Sequence, residues 1–431
     1  MAEKRRKFSS EEKSQIVRRR DERFWGVLGR LALGAILMAG IPTVAMAEGE
    51  SAKPVSSRCY VDEQNRLIVE GKPFFPLGFY GGRNIEDLRR LADSPFNCVL
   101  DYGMTAEDVE TTRKYLDEAH RLGIKIIFCV NDVYPSATYR KKLGEWVGND
   151  AILEGVVKMF RDHPALIAWY NNDELAFDKK EEVEGYYRHI RQLDPNHPQL
   201  MVHYRPGSYR TFVNAYDIVG VDVYPIPKNP VTELSERIDL AYKETEDKKP
   251  IWAVPQTFAW YQHRDPEDPT DTLGRRRLPM PKEWLNGRAP TYDETRVMTY
   301  LALVHRAKGI LYWCFYNMTY LPDFVERWNF MKRIGEEVKA LFPVLLSPEE
   351  MPISLDPANE AIHCLVKIAD GKRYLLAVNA SREAHRPSFR LPEPVGQTVN
   401  VKFEDRTIPV KDGTLADFFA PLSAHVYELD K

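Results

Sequence analysis

LIAWYNNDEL, residues 166 to 175, opens with five apolar or aromatic residues and then reaches Asn171, Asn172, Asp173 and Glu174. A run without polar alternation reads as a strand buried on both faces, as in parallel sheets covered by helices. Seven further runs share that character: FFPLGFY (74–80), FNCVLDY (96–102), KIIFCVND (125–132), QLMVHY (199–204), DIVGVDVY (217–224), PIWAVPQ (250–256) and GILYWCFYN (309–317). Between them lie segments such as AEDVETTRKYLDEAHRLG and YDETRVMTYLALVHRAKG, whose apolar positions recur at helical spacing. Gly123 and Gly309 stand where a helix stops and the next strand begins. Eight strand and helix units predict an α/β fold, a (β/α)8 TIM barrel over residues 58–345.

From 346 to 431 the pattern changes to strands without helices between them, AIHCLVKIA, RYLLAVNA, TVNVKFED and SAHVYEL among them. This predicts a small C-terminal antiparallel β-sandwich. Ahead of the barrel, RLIVEGKPFF reads as a hairpin turning through Glu70 and Gly71. One segment, Thr257 to Tyr292, is far longer than an ordinary barrel loop and is expected to form part of a cleft wall.

The first 47 residues read differently. Arg18, Arg19, Arg20 and Arg23 precede LALGAILMAGIPTVAMA, which ends in the small-residue pattern Ala45-Met46-Ala47. That is the layout of a secretory signal peptide, or of an N-terminal anchor where it stays uncleaved, with residues 48–57 as a linker. The expected location is therefore periplasmic or extracellular. The opening RRKFSSEEKSQIVRR resembles the start of a transposase helix-turn-helix, but nothing downstream continues it. The net charge of -3, from 63 acidic and 60 basic residues, offers no field for nucleic acid, so a small or neutral partner is expected. Five scattered cysteines without CxxC spacing predict buried thiols.

Barrel active sites form at the C-terminal ends of the strands, so the last polar residues of each run are the candidates. They are Tyr80, Asp101 with Tyr102, Asn131 with Asp132, Asn172 with Asp173 and Glu174, His203 with Tyr204, Asp222 with Tyr224, Gln256, and Trp313 with Tyr316 and Asn317. The scarcity of histidine and the absence of a glycine-rich phosphate loop argue against a metal-dependent hydrolase and against phosphorylated substrates, so no metal and no cofactor is expected. Carboxylates framed by aromatic rings and amides are what glycosidic bond cleavage requires. One acid protonates the leaving oxygen, a second group meets the positive anomeric centre, and aromatic faces hold sugar rings.

On these residues the chain resembles the large clan of (β/α)8 glycoside hydrolases: a GKPFFPLGFY first strand, a glutamate after an amide or acid at the end of strand four, and a C-terminal β-sandwich. The resemblance implies that Glu174 is the general acid/base. It departs from the clan at strand seven, where VPQTF places Gln256 at the position of the nucleophilic glutamate. Three readings stay open. WYNNDE is also similar to the (β/α)8 hexosaminidases, in which an Asp-Glu pair works with the substrate's own 2-acetamido oxygen; Asp173 would then polarise that group. Alternatively Asp222, which faces the same side as Tyr224, is the second carboxylate. In the third reading the barrel binds a glycan without cutting it. Substrate contacts are expected from Tyr80, Asp101, Asn172, Tyr204, Tyr224, Gln256, Trp260 and Trp313. Glu294, in the first turn of a helix, is expected to be structural.

Overall fold

The computed structural model describes residues 59–82, 84–104, 107–133, 142–263, 287–391 and 396–429. Residues 1–57, expected to form a signal peptide or anchor and a linker, lie outside the described residues, as do Arg83 and most of the long segment after strand seven.

All eight predicted runs form strands, and they close into a parallel barrel. In order they are Leu77–Tyr80, Cys98–Asp101, Lys125–Cys129, Leu166–Asp173, Gln199–His203, Ile218–Asp222, Ile251–Val254 and Ile310–Tyr312. Strand eight pairs with strand one through Ile310 and Leu77, which completes the ring. The strands are shorter than their runs at one or both ends, while Asp101, Asp173, His203 and Asp222 stay within them as their last residues. The interior is filled by side chains, Leu100, Ile127, Leu200, Val202, Trp252, Val254 and Leu311 among them, so the barrel is a packed core below its mouth. A second apolar layer joins the outer faces of the strands to the surrounding helices.

Local signals explain the joints. Helix Val109–Arg121 ends where Gly123 adopts φ +75°, with the Ile124 N–H returning to the Ala119 carbonyl. Glu70 and Gly71, both at positive φ, make the tight turn between strands Leu67–Val69 and Lys72–Phe74. With Cys59–Val61 these strands form a small sheet under the barrel, where the Cys59 N–H meets the Asn196 carbonyl ahead of strand five. All five cysteines are free thiols, four of them buried.

The C-terminal region is a nine-stranded antiparallel sheet. Val366 and Leu375 from one end of its strand order and Phe389 and Leu415 from the other share one apolar core, so the ladder folds over itself as a sandwich does. It docks on helix Tyr292–Val304, where Arg296 donates to the Ala424 carbonyl at 2.8 Å. No helix among the described residues is long and apolar enough to cross a membrane.

Candidate active site

Strand four carries the centre of the site. All of Leu166–Asp173 is buried. Tyr170 points into the barrel, where its ring meets those of Tyr80 and Tyr102. Strict alternation from Tyr170 would turn Asp173 outward. The pairing with strand five, however, skips a residue between Leu200–Tyr170 and Met201–Asn172. This bulge shifts the phase by one, a common way of re-aiming a side chain next to a site. The extra residue, Asn171, gives its amide to the Gln199 side chain at 2.9 Å and the Ala215 carbonyl at 3.0 Å. Asp173 then reaches the mouth, where the Tyr102 hydroxyl donates to its Oδ2 at 2.7 Å.

Glu174 follows with φ +55°, a left-handed conformation that a residue with a Cβ adopts at a cost of about 1–3 kcal/mol. Its N–H is held by the Val202 carbonyl at 3.0 Å. From strand six, Asp222 approaches the same point. Carboxylate oxygens of Asp173, Glu174 and Asp222 all lie within 4.8 Å of one another, and the three residues are 1 %, 6 % and 0 % exposed. Gathering three like charges in a poorly solvated place opposes their full ionisation, so the cluster favours retaining a proton. Among the described residues it is also the one group of acidic, histidine or cysteine side chains close enough to hold a metal ion.

Aromatic rings wall this cluster. Trp313 stands edge-on to Tyr80 at 5.1 Å and to Tyr102 at 5.5 Å, and the Trp313–Cys314 peptide is cis. Burial and the nearby Asp173 push the Tyr102 and Tyr170 hydroxyls well above their ordinary range, so both stay protonated and able to donate. Tyr204 is half-buried; desolvation raises its hydroxyl, with Glu174 and Asp222 adding to the shift, while Arg205 donates to it at 3.0 Å.

The other predicted contacts divide. Asn172 is fully buried beside Asp173, and neither of its amide atoms is hydrogen bonded to a described residue. Tyr224 meets Phe258 at 5.2 Å and Trp260 at 6.4 Å, and these three rings belong to the same apolar cluster as Tyr80, Tyr102 and Trp313. Asp101 faces the turn after strand two, accepting from the Gly103 N–H at 3.2 Å. It lies on the outward parity of a strand whose inward positions are Cys98, Leu100 and Tyr102. The adjacent Tyr102 has the inward parity and is the donor to Asp173.

Gln256 requires a correction. It is fully buried, its Oε1 accepts from the Ile226 N–H at 3.0 Å, and its Nε2 donates to the Ile226 and Phe258 carbonyls, both at 3.0 Å. Both amide hydrogens are used on main chain, which leaves none for a substrate. The residue clamps the loop after strand six to the end of strand seven. A depression of about 710 Å³ lies elsewhere, on the helical wall at Tyr292, Val325, Phe330 and Arg333, and includes none of the predicted residues.

No known family model matches the sequence, and no curated protein is similar to it at that level. Solved structures are similar in fold. A glycoside hydrolase family 5 protein from Bacteroides vulgatus has a TM-score of 0.56 at 15 % identity, over 86 % of this chain and 94 % of the other. A structure described as a glycoside hydrolase scores 0.57 at 14 % identity, over 87 % and 97 %. An Anoxybacillus α-amylase scores 0.54 at 11 % identity, over 85 % and 98 %. At these identities the likeness establishes a shared architecture, and residue roles rest on the geometry above.

Proposed function

We propose that the protein is a glycoside hydrolase that cleaves O-glycosidic bonds of an oligo- or polysaccharide, with Glu174 as general acid/base. The observation that carries this reading is the convergence of Asp173, Glu174 and Asp222 within 4.8 Å, buried against Tyr102. A glycan-binding site gains nothing from three like charges gathered out of water, whereas proton transfer to a leaving oxygen requires a carboxyl that keeps its proton. The structures of similar fold named as glycoside hydrolases or an amylase agree with it.

Asp222 serves as the second carboxylate. Its closeness to Glu174 suits the separation of about 5–5.5 Å used in retaining enzymes and leaves no room for the water that inverting enzymes place across about 6.5–9.5 Å. In the first step an Asp222 oxygen bonds to the anomeric carbon while the Glu174 proton passes to the departing oxygen. In the second, water gives its proton to Glu174 and its oxygen displaces Asp222. Asp173, fixed by Tyr102, contributes a negative charge that keeps the proton on Glu174. The hexosaminidase-like alternative has Asp173 polarising a 2-acetamido group, and its position beside Glu174 is what favours it. Gln256, committed to the main chain, fits either route, because neither uses a carboxylate from strand seven. The basic front and apolar run before Glu48 support export towards such a substrate.

Glu174→Gln should reduce turnover of glycosides with poor leaving groups by about 10²–10⁴-fold while leaving sugar binding intact; unaltered turnover refutes the assignment. Paired aryl glycosides with and without a 2-acetamido group separate the two routes. Equal hydrolysis of both removes substrate assistance.

A further inference from the structure

We infer that His203 is a positioning residue for Glu174, an inference that rests on the reading of Glu174 as the proton donor. His203 ends strand five and is fully buried. Its ring packs against those of Phe177 at 6.4 Å and Phe212 at 5.6 Å, which also touch each other at 6.2 Å. The Tyr204 N–H points at Nδ1 from 3.2 Å, so Nδ1 is the acceptor and the ring hydrogen is on Nε2. Nε2 donates to the Leu175 carbonyl at 3.0 Å.

That bond falls one residue past Glu174. The Glu174 N–H is tied to the Val202 carbonyl, and the next carbonyl is tied to the His203 ring, so two consecutive residues of strand five grip the chain on either side of the carboxyl-bearing Cα. The grip matters because Glu174 sits at φ +55°, a conformation that persists only where its surroundings over-determine it. With the ring bond lost, the turn can relax toward negative φ and carry the carboxyl away from Asp222. A displacement of about 1 Å at a reacting group can cost about 10²-fold in rate.

His203→Phe keeps a flat ring packed against Phe177 and Phe212 and removes both polar functions; His203→Gln restores a donor. Leaving-group dependence separates positioning from general damage, because a dinitrophenyl glycoside departs without protonation and an alkyl glycoside does not. The Phe variant is expected to lose about 100-fold in kcat/KM on an alkyl glycoside and about threefold or less in kcat/KM on the dinitrophenyl glycoside of the same sugar, since kcat/KM reports only the first step and not the second, in which Glu174 also acts. His203→Gln should recover at least about tenfold of the loss. Equal losses on the two substrates, or no rescue, overturn the inference. Hydrogen exchange at the amides of residues 174 to 176 reads the same anchor without any substrate. Faster exchange in the Phe variant is expected, and unchanged exchange overturns the inference independently. If the wild type cleaves no glycoside, the proposed function fails, and the exchange result still decides the anchor.

Discussion

Glu294 and Glu174 are both sealed from solvent, at 1 % and 6 % exposure, and both lie near the barrel's upper face, yet their surroundings are opposite. Glu294 completes a capping box with Thr291 and is gripped by Arg288 through two bonds of 2.5 and 2.7 Å and by Arg382 at 2.9 Å. Burial alone would raise its carboxyl, but Arg288, the Thr291 N–H and Arg382 together bring it down to about 2. Glu174 has two more carboxylates for neighbours and a left-handed backbone. A buried acid that is fully compensated belongs to the scaffold, since its charge is permanent and its position is pinned. A buried acid set among other acids is poised to exchange a proton, and the fold accepts a loss of stability to keep it there.

The contrast can be broken most sharply at Asp222. Asp222→Asn should reduce turnover by at least about 100-fold while raising the thermal midpoint by a degree or two, because removing one of three clustered charges relieves repulsion. A variant that is both inactive and less stable would mean that Asp222 is compensated, as Glu294 is. Glu294→Gln should behave in the opposite sense. Loss of the charge leaves Arg288 and Arg382 facing a neutral amide, and unfolding by urea should show a deficit of about 2–3 kcal/mol with kcat little changed. Activity falling in step with stability would erase the distinction between the two acids.

The smallest effect is in pH dependence, at the same contact between barrel and sheet. His363 bonds His305 at 2.9 Å, and His305 bonds Asp239 at 2.8 Å. Burial and the His305 ring lower the His363 imidazole from 6.5 to about 4. The unfolded chain therefore takes up a proton in that window which the folded one refuses, and stability should be level above pH 6.5 and fall as pH drops toward 4. Glu294, ordinary at 4.5 and near 2 when folded, extends the fall below that, since its contribution is present above 4.5 and is lost as pH falls toward 2. Urea midpoints measured from pH 7 to pH 4 should decline in the wild type and stay flatter in His363→Phe. Identical slopes would remove His363 from the account.

The architecture was legible because eight apolar runs are a strong, redundant signal, and no single misjudged residue changes their number. Strand-four acids and Asp222 were legible for the same reason, each standing where an apolar run stops. Three features were not. Asp101 and Tyr102 are adjacent, and only the inward parity shared with Cys98 and Leu100 shows which one faces the mouth. The bulge at Asn171 reverses that parity on strand four and leaves no mark in the residue types. Gln256 reads as a site amide from its place at a strand end, but its partners are main-chain groups of Ile226 and Phe258, and backbone partners cannot be read from a pattern of side chains.

The small sheet that opens the described chain has a practical consequence. Its Cys59 is joined to Asn196 and, through its thiol, to the Leu166 carbonyl, all at the end of the barrel where strands four and five begin. The acids occupy the other end. A fusion partner, an affinity handle or a solid support attached directly ahead of Cys59 would therefore be anchored beneath the molecule, at the end away from the acids.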